Sequence, residues 1–116
     1  PLARAFEAGL DEPVRIEKKE TAAEGIASAE PVRGAEVLRA VRETDGGFVA
    51  VSEAEIWSAH SSLCRAGLYV EPTSAAAAAG WDKLCESGRI DAAEPTVVYL
   101  SGIGLKATDK IAGHVH

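Results

Sequence analysis

The chain has 116 residues, 47% of them apolar and 26% charged, and its 18 acidic against 12 basic side chains give a net charge of −6. That length suffices for one hydrophobic core and not comfortably for two, and the acidic balance argues against general nucleic-acid binding, which needs a basic footprint. No apolar run approaches the roughly 20 residues that span a bilayer, and no basic start precedes an apolar stretch, so the expectation is a cytoplasmic protein that handles a small molecule.

Taken in chain order, Pro1 to Gly9 has helical spacing through Leu2, Ala5 and Phe6, and Pro13 to Glu17 reads as a possible strand. Lys18-Lys19-Glu20 is a solvated loop. Arg33-Gly34 opens a helix with Val37, Leu38 and Val41 on one face, ended by the turn residues Thr44-Asp45-Gly46-Gly47. Phe48 to Val51 is a short apolar strand. Ser52 and Glu55 then form a capping box for a helix bearing Ile56, Ala59 and Leu63, with Gly67 as its left-handed stop.

Leu68-Tyr69-Val70 is a second strand, ended by Glu71-Pro72. Thr73 or Ser74 caps a third helix that runs through Ala75–Ala79 to Trp81, Leu84 and Cys85 and stops near Gly88. Small residues in that run raise helix propensity, and they also permit close approach to a neighbour or a flat ligand. A polar loop, Arg89 to Pro95, leads into Val97-Val98-Tyr99-Leu100, an unbroken apolar run that predicts a strand buried on both faces. Strands joined by helices imply right-handed crossovers, so the expected fold is α/β: three α/β/α layers around a short, mainly parallel sheet, in a single domain over 1–116. Ser101-Gly102-Ile103-Gly104 would then lie at the carboxyl edge of that sheet, where ligands bind in open α/β folds.

Cys64 and Cys85, 21 residues apart in helical patterns, read as free thiols of a reducing compartment, with no further cysteines at zinc spacing. The His114-Val115-His116 tail offers two ligands without an acidic neighbour, so no metal site is expected. Lys106 follows a glycine pair but lacks the Gly-Lys-Ser/Thr of a phosphate loop, and is read as solvated. The absence of methionine and the start at Pro1 give the expectation of a piece of a longer protein.

Three segments in order, Glu30-Pro31-Val32-Arg33-Gly34 through Ile56, Val70-Glu71-Pro72-Thr73-Ser74-Ala75-Ala76, and Val97 through Lys106, resemble the C-terminal part of the threonine synthases. Those enzymes belong to the tryptophan-synthase-β-like, fold type II family that uses pyridoxal phosphate. A weaker match is Thr21-Ala22-Ala23-Glu24-Gly25-Ile26. The resemblance implies that Ser101 supplies the hydroxyl that faces the cofactor's pyridine nitrogen, where relatives usually carry threonine. Gly102 would keep the adjoining turn tight, Glu71 and Ser74 would lie near the ring's nitrogen edge, and Gly25 would lie against its face.

A neutral hydroxyl makes the ring a gentler electron sink, suited to elimination and replacement. The implied reaction turns O-phosphohomoserine and water into threonine and phosphate, in a homodimer. The family's Schiff-base lysine and glycine-rich phosphate loop have no counterpart in this sequence, so this stretch alone is expected to be inactive. Alternative expectations are a threonine or serine dehydratase, a cysteate synthase, or a stand-alone ligand-binding α/β module.

Overall fold

The computed structural model describes residues 1–114. Five α-helices are present among them: α1 (Leu2–Glu7), α2 (Gly34–Glu43), α3 (Glu53–Arg65), α4 (Pro72–Glu86) and α5 (Thr108–Ala112). Two 3-10 turns cover Glu24–Ile26 and Gly104–Ala107. The chain divides into two compact units, one made of Pro1–Glu20 with Ala27–Ala50 and one of Thr21–Ile26 with the chain from Val51 onward.

In the first unit, α1 and α2 are amphipathic helices that bury Ala5 and Leu38. Phe6 meets Phe48 edge to face at 5.3 Å between ring centroids, and the Arg42 guanidinium lies 5.3 Å above the Phe6 ring. Arg42 also donates to the Leu10 carbonyl at 2.7 Å and pairs with Asp11 at 3.1 Å. Gly34 opens α2 against Pro13, where a Cβ would fall 2.3 Å from the proline Cγ. The ring cannot yield by changing rotamer. Overpacking of about 1–3 kcal/mol would outweigh the gain of about 1 kcal/mol in helix propensity. Gly34→Ala is therefore expected to lower stability by about 1 kcal/mol net, read from the urea midpoint.

In the second unit, α3 and α4 pack on one another around Ala23, Ile56, Val70, Ala75 and Ala76, flanked by Val51, Leu63 and Leu100. The start of α3 follows the predicted chemistry. Ser52 Oγ accepts from the Glu55 N–H at 3.3 Å, and Glu55 Oε2 accepts from the Ser52 N–H at 2.6 Å. The Lys83 ammonium of α4 meets the same carboxylate at 3.0 Å. The Ser52 backbone bond foremost, then Lys83 and the Ser52 hydroxyl, hold the Glu55 carboxyl down from 4.5 to about 2.

A depressed carboxyl contributes stability that is present above its unfolded value and is lost as pH falls through its folded value. Glu55→Gln is thus expected to destabilise α3 at pH 7, with its difference from wild type shrinking from pH 4.5 downward and vanishing near pH 2. Thermal unfolding across that range is the measurement. Gly67 (φ 86°) and Gly88 (φ 69°) end α3 and α4 in the left-handed region, as read from the sequence. Both cysteines are free and half-buried, and burial, with Asp82 and Asp91 nearby, pushes the Cys85 thiol up.

The α/β/α expectation is overturned. Among the described residues there is no sheet; an isolated antiparallel bridge joins Val70 and Ile103. Phe48–Val51, Leu68–Val70 and Val97–Leu100 contain no strand, and neither does Pro13–Glu17. An apolar run states that a segment has surface to bury; a strand also needs backbone partners alongside, and these segments do not pair with each other.

The run Val97–Leu100 is covered on one side only. Val98 and Leu100 line a groove of about 350 Å³ with Leu63, Leu68 and Trp81. Val97 and Tyr99 are 91% and 80% exposed. Helix-on-helix packing of α3 and α4 thus takes the organising place that the sequence reading gave to a parallel sheet. No helix among the described residues is long and apolar enough to cross a membrane.

Candidate functional site

The site is built on the first turn of α4. Glu71 is the N-cap with extended backbone (ψ 157°), and Pro72 follows at the first helical position, where a missing N–H costs nothing. Neither Thr73 nor Ser74 is the cap, contrary to the sequence expectation. Both are released for other work. Thr73 Oγ1 accepts from the Gly25 N–H at 3.1 Å, tying the Thr21–Ile26 segment to α4. That segment is held from two further helices. Thr21 and the Ala22 N–H donate to Glu53 of α3, and Lys110 of α5 donates to Glu24.

Ser74, 1% exposed, grips the Ser101–Gly102 turn. Its Oγ accepts from the Gly102 N–H at 2.8 Å and donates to the Gly102 carbonyl at 3.2 Å. The same carbonyl accepts from the Glu71 N–H at 3.0 Å. One buried hydroxyl therefore satisfies both backbone groups of Gly102. The Glu71 carboxylate lies over that glycine, so closely that a Cβ there would fall 1.8 Å from Oε1 and 2.3 Å from Cδ. Gly102 is required for the close approach, since its φ is not in the left-handed region. Two residues on, Gly104 lies under the Tyr69 ring, with ring carbons 2.7 Å from where a Cβ would stand.

Ser101 is exposed, and its hydroxyl is 3.5 Å from Ser74 Oγ, a weak contact. Because Ser74 can direct its own proton to Gly102, the Ser101 proton is available to an acceptor in front of the turn. All five residues singled out from the sequence, Gly25, Glu71, Ser74, Ser101 and Gly102, thus converge on one helix terminus. Sequence reading missed Thr73 as the link to Gly25, because a hydroxyl after proline was read only as a cap. It also placed His60 on a helix without a role, although that side chain is 3% exposed and bonded to the Val70 carbonyl.

The sequence candidate Lys106 and the other lysines of this unit do not contact the Ser101–Gly102 turn. Lys106 is exposed in the Gly104–Ala107 turn, Lys83 pairs with Glu55, and Lys110 with Glu24. Among the described residues no three His, Cys, Asp or Glu side chains converge on a cation position. His114 stacks on Trp57 at 3.9 Å, and His116 lies outside the described residues.

The family model of pyridoxal-phosphate dependent enzymes matches residues 1–102. The chain belongs to that family, whose cofactor is pyridoxal phosphate.

Within it, the chain is similar to the threonine synthase of Methanocaldococcus jannaschii, 36% identical over 110 residues, which are 94% of this chain and 27% of that enzyme. The threonine synthase of Methanosarcina acetivorans is 36% identical over 91% of this chain and 26% of its own length. That of Mycobacterium tuberculosis is 35% identical over 86% and 28%. The chain therefore spans about a quarter of the length of the curated relatives it matches.

The residues present fit one edge of the cofactor. A pyridine nitrogen is an acceptor, and the exposed Ser101 hydroxyl has a proton to give.

Proposed function

We propose that the protein carrying these residues converts O-phosphohomoserine and water into threonine and phosphate, acting as a cytoplasmic homodimer with pyridoxal phosphate. We further propose that residues 1–116 are part of its cofactor-binding domain. The observation that carries this reading is the convergence of Ser101, Gly102, Glu71, Ser74 and Gly25 on the start of α4. Similarity to threonine synthases over most of the chain supports the choice of reaction.

Pyridoxal phosphate, when bound, supplies an electron sink conjugated to the substrate's Cα. Ser101 donates a hydrogen bond to the ring nitrogen and, being neutral, does not hold that nitrogen protonated as a carboxylate would. By giving that nitrogen a neutral partner, Ser101 would keep the sink moderate, which suits loss of a good leaving group such as phosphate. Ser74 and Gly102 fix the position of Ser101. Glu71 orients groups beside the ring's nitrogen edge, and Gly25, tied to Thr73, presents backbone toward the ring face.

The test is to add pyridoxal phosphate to the purified full-length protein that carries these residues, follow its absorbance, and assay phosphate released from O-phosphohomoserine. A bound-cofactor band together with phosphate release is expected. A band with no phosphate release, but with ammonia formed from threonine or serine, would move the protein to the dehydratases. No band at all would remove the reading.

A further inference from the structure

We propose that His60 is a positioning residue for this site: its imidazole stands where a neighbouring strand would, and so fixes the turn that carries Glu71 and Gly102. The functional part of the inference rests on the pyridoxal-phosphate reading above. The structural part does not.

The Val70–Ile103 bridge is held by the Glu71 N–H on the Gly102 carbonyl and the Gly104 N–H on the Tyr69 carbonyl, each at 3.0 Å. Those bonds flank Val70, so its own carbonyl faces away from Ile103, toward the side on which a sheet would place its next strand. There His60 of α3 meets it, with Nε2 3.0 Å from the oxygen. A carbonyl only accepts, so Nε2 carries a proton. The Cys64 sulfur lies 3.8 Å from both ring nitrogens.

The ring is also held by packing. Trp57 lies edge-on to it, with centroids 5.4 Å apart, and Trp57 in turn stacks on His114. Val70 immediately precedes Glu71, the cap of α4. A Val70 carbonyl left without its donor, buried as Val70 is, would turn in search of one. The Glu71 N–H would then leave the Gly102 carbonyl. In this way a buried histidine on α3, not itself part of the site, sets the geometry of the Ser101 turn.

Two measurements on the protein without cofactor test the structural part. Long-range nitrogen–proton spectra of the His60 ring should show a proton on Nε2; the Nδ1–H tautomer would overturn the proposal without any variant. Amide hydrogen exchange should then show Glu71 and Gly104 exchanging about tenfold faster in His60→Leu. His60→Gln, whose side-chain amide can donate, should stay within about threefold of wild type, and amides within α3 should not change. Equal exchange at Glu71 in His60→Leu and wild type would overturn it. Should His60→Leu fail to fold, the ring tautomer and the glutamine variant still decide.

The functional part is read from pyridoxal-phosphate titration of the full-length protein that carries these residues. Affinity is expected to fall about tenfold in His60→Leu and to return in His60→Gln. Unchanged affinity despite faster exchange would overturn the positioning role. If wild type binds no pyridoxal phosphate, it is the proposed function that fails, and the exchange result still judges His60.

Discussion

Ser74→Ala is expected to lower stability by about 2 kcal/mol and to free the Ser101–Gly102 turn. The hydroxyl removed is buried and serves both backbone groups of Gly102, as acceptor at 2.8 Å and donor at 3.2 Å. Alanine fills the same space but leaves the Gly102 N–H without its acceptor. The carbonyl keeps the Glu71 N–H, so half of the arrangement survives. Most of the cost is the desolvation of a donor left unpaired, which exceeds the net worth of an ordinary hydrogen bond. The checks are the urea midpoint and the exchange rate of the Gly102 amide. A loss below about 0.5 kcal/mol, the range of an ordinary surface substitution, would mean that Ser74 does not anchor the turn.

Ser101→Ala is expected to behave in the opposite way, with stability nearly unchanged and affinity for pyridoxal phosphate reduced about tenfold. Ser101 is exposed and its contact with Ser74 is 3.5 Å long, so little in the fold depends on it. Its proposed work lies toward the ring nitrogen, and a hydrogen bond worth about 1–1.5 kcal/mol converts to about one order of magnitude in binding. Ser101→Thr, which keeps the hydroxyl, should bind like wild type. Ser101→Asp should hold the ring nitrogen protonated and slow the release of phosphate. Cofactor titration by fluorescence, paired with urea unfolding of the same variants, separates a lost contact from a lost fold.

The two serines were read from the sequence with the same kind of signal, and the structure gives them different work. Ser74 is a buried structural hydroxyl and Ser101 an exposed one. Their spacing in the sequence could not distinguish these roles, because burial depends on which helix face the turn from residue 101 lies against.

Helices were legible because their determinants are local. The capping box of Ser52 and Glu55, the apolar face of α2, and the glycines at 67 and 88 all act within a few residues of their own position. The cap of α4 was misread by two to three residues, since Pro72 at the first helical position moves the cap back to Glu71.

The sheet was not legible for a different reason. Val97–Leu100 carries the composition of a strand, but pairing is a relation between segments, and the side chains of Val97 and Tyr99 remain uncovered. The sheet-edge argument for Ser101 falls with the sheet, while the contacts that gather the candidate residues do not involve one. What assembles the site is the α4 terminus, the Ser74 hydroxyl and the Val70–Ile103 bridge. His60 was invisible as a contributor because its partner is a backbone carbonyl, which leaves no signature in side-chain pattern.

The central claim, that Ser101 meets the ring nitrogen of pyridoxal phosphate, is tested most directly by nitrogen NMR of the protein loaded with cofactor labelled at the ring nitrogen. The account predicts a resonance in the range of an unprotonated, hydrogen-bonded pyridine, displaced in Ser101→Ala and restored in Ser101→Thr. A resonance in the protonated range, or one indifferent to residue 101, would contradict it.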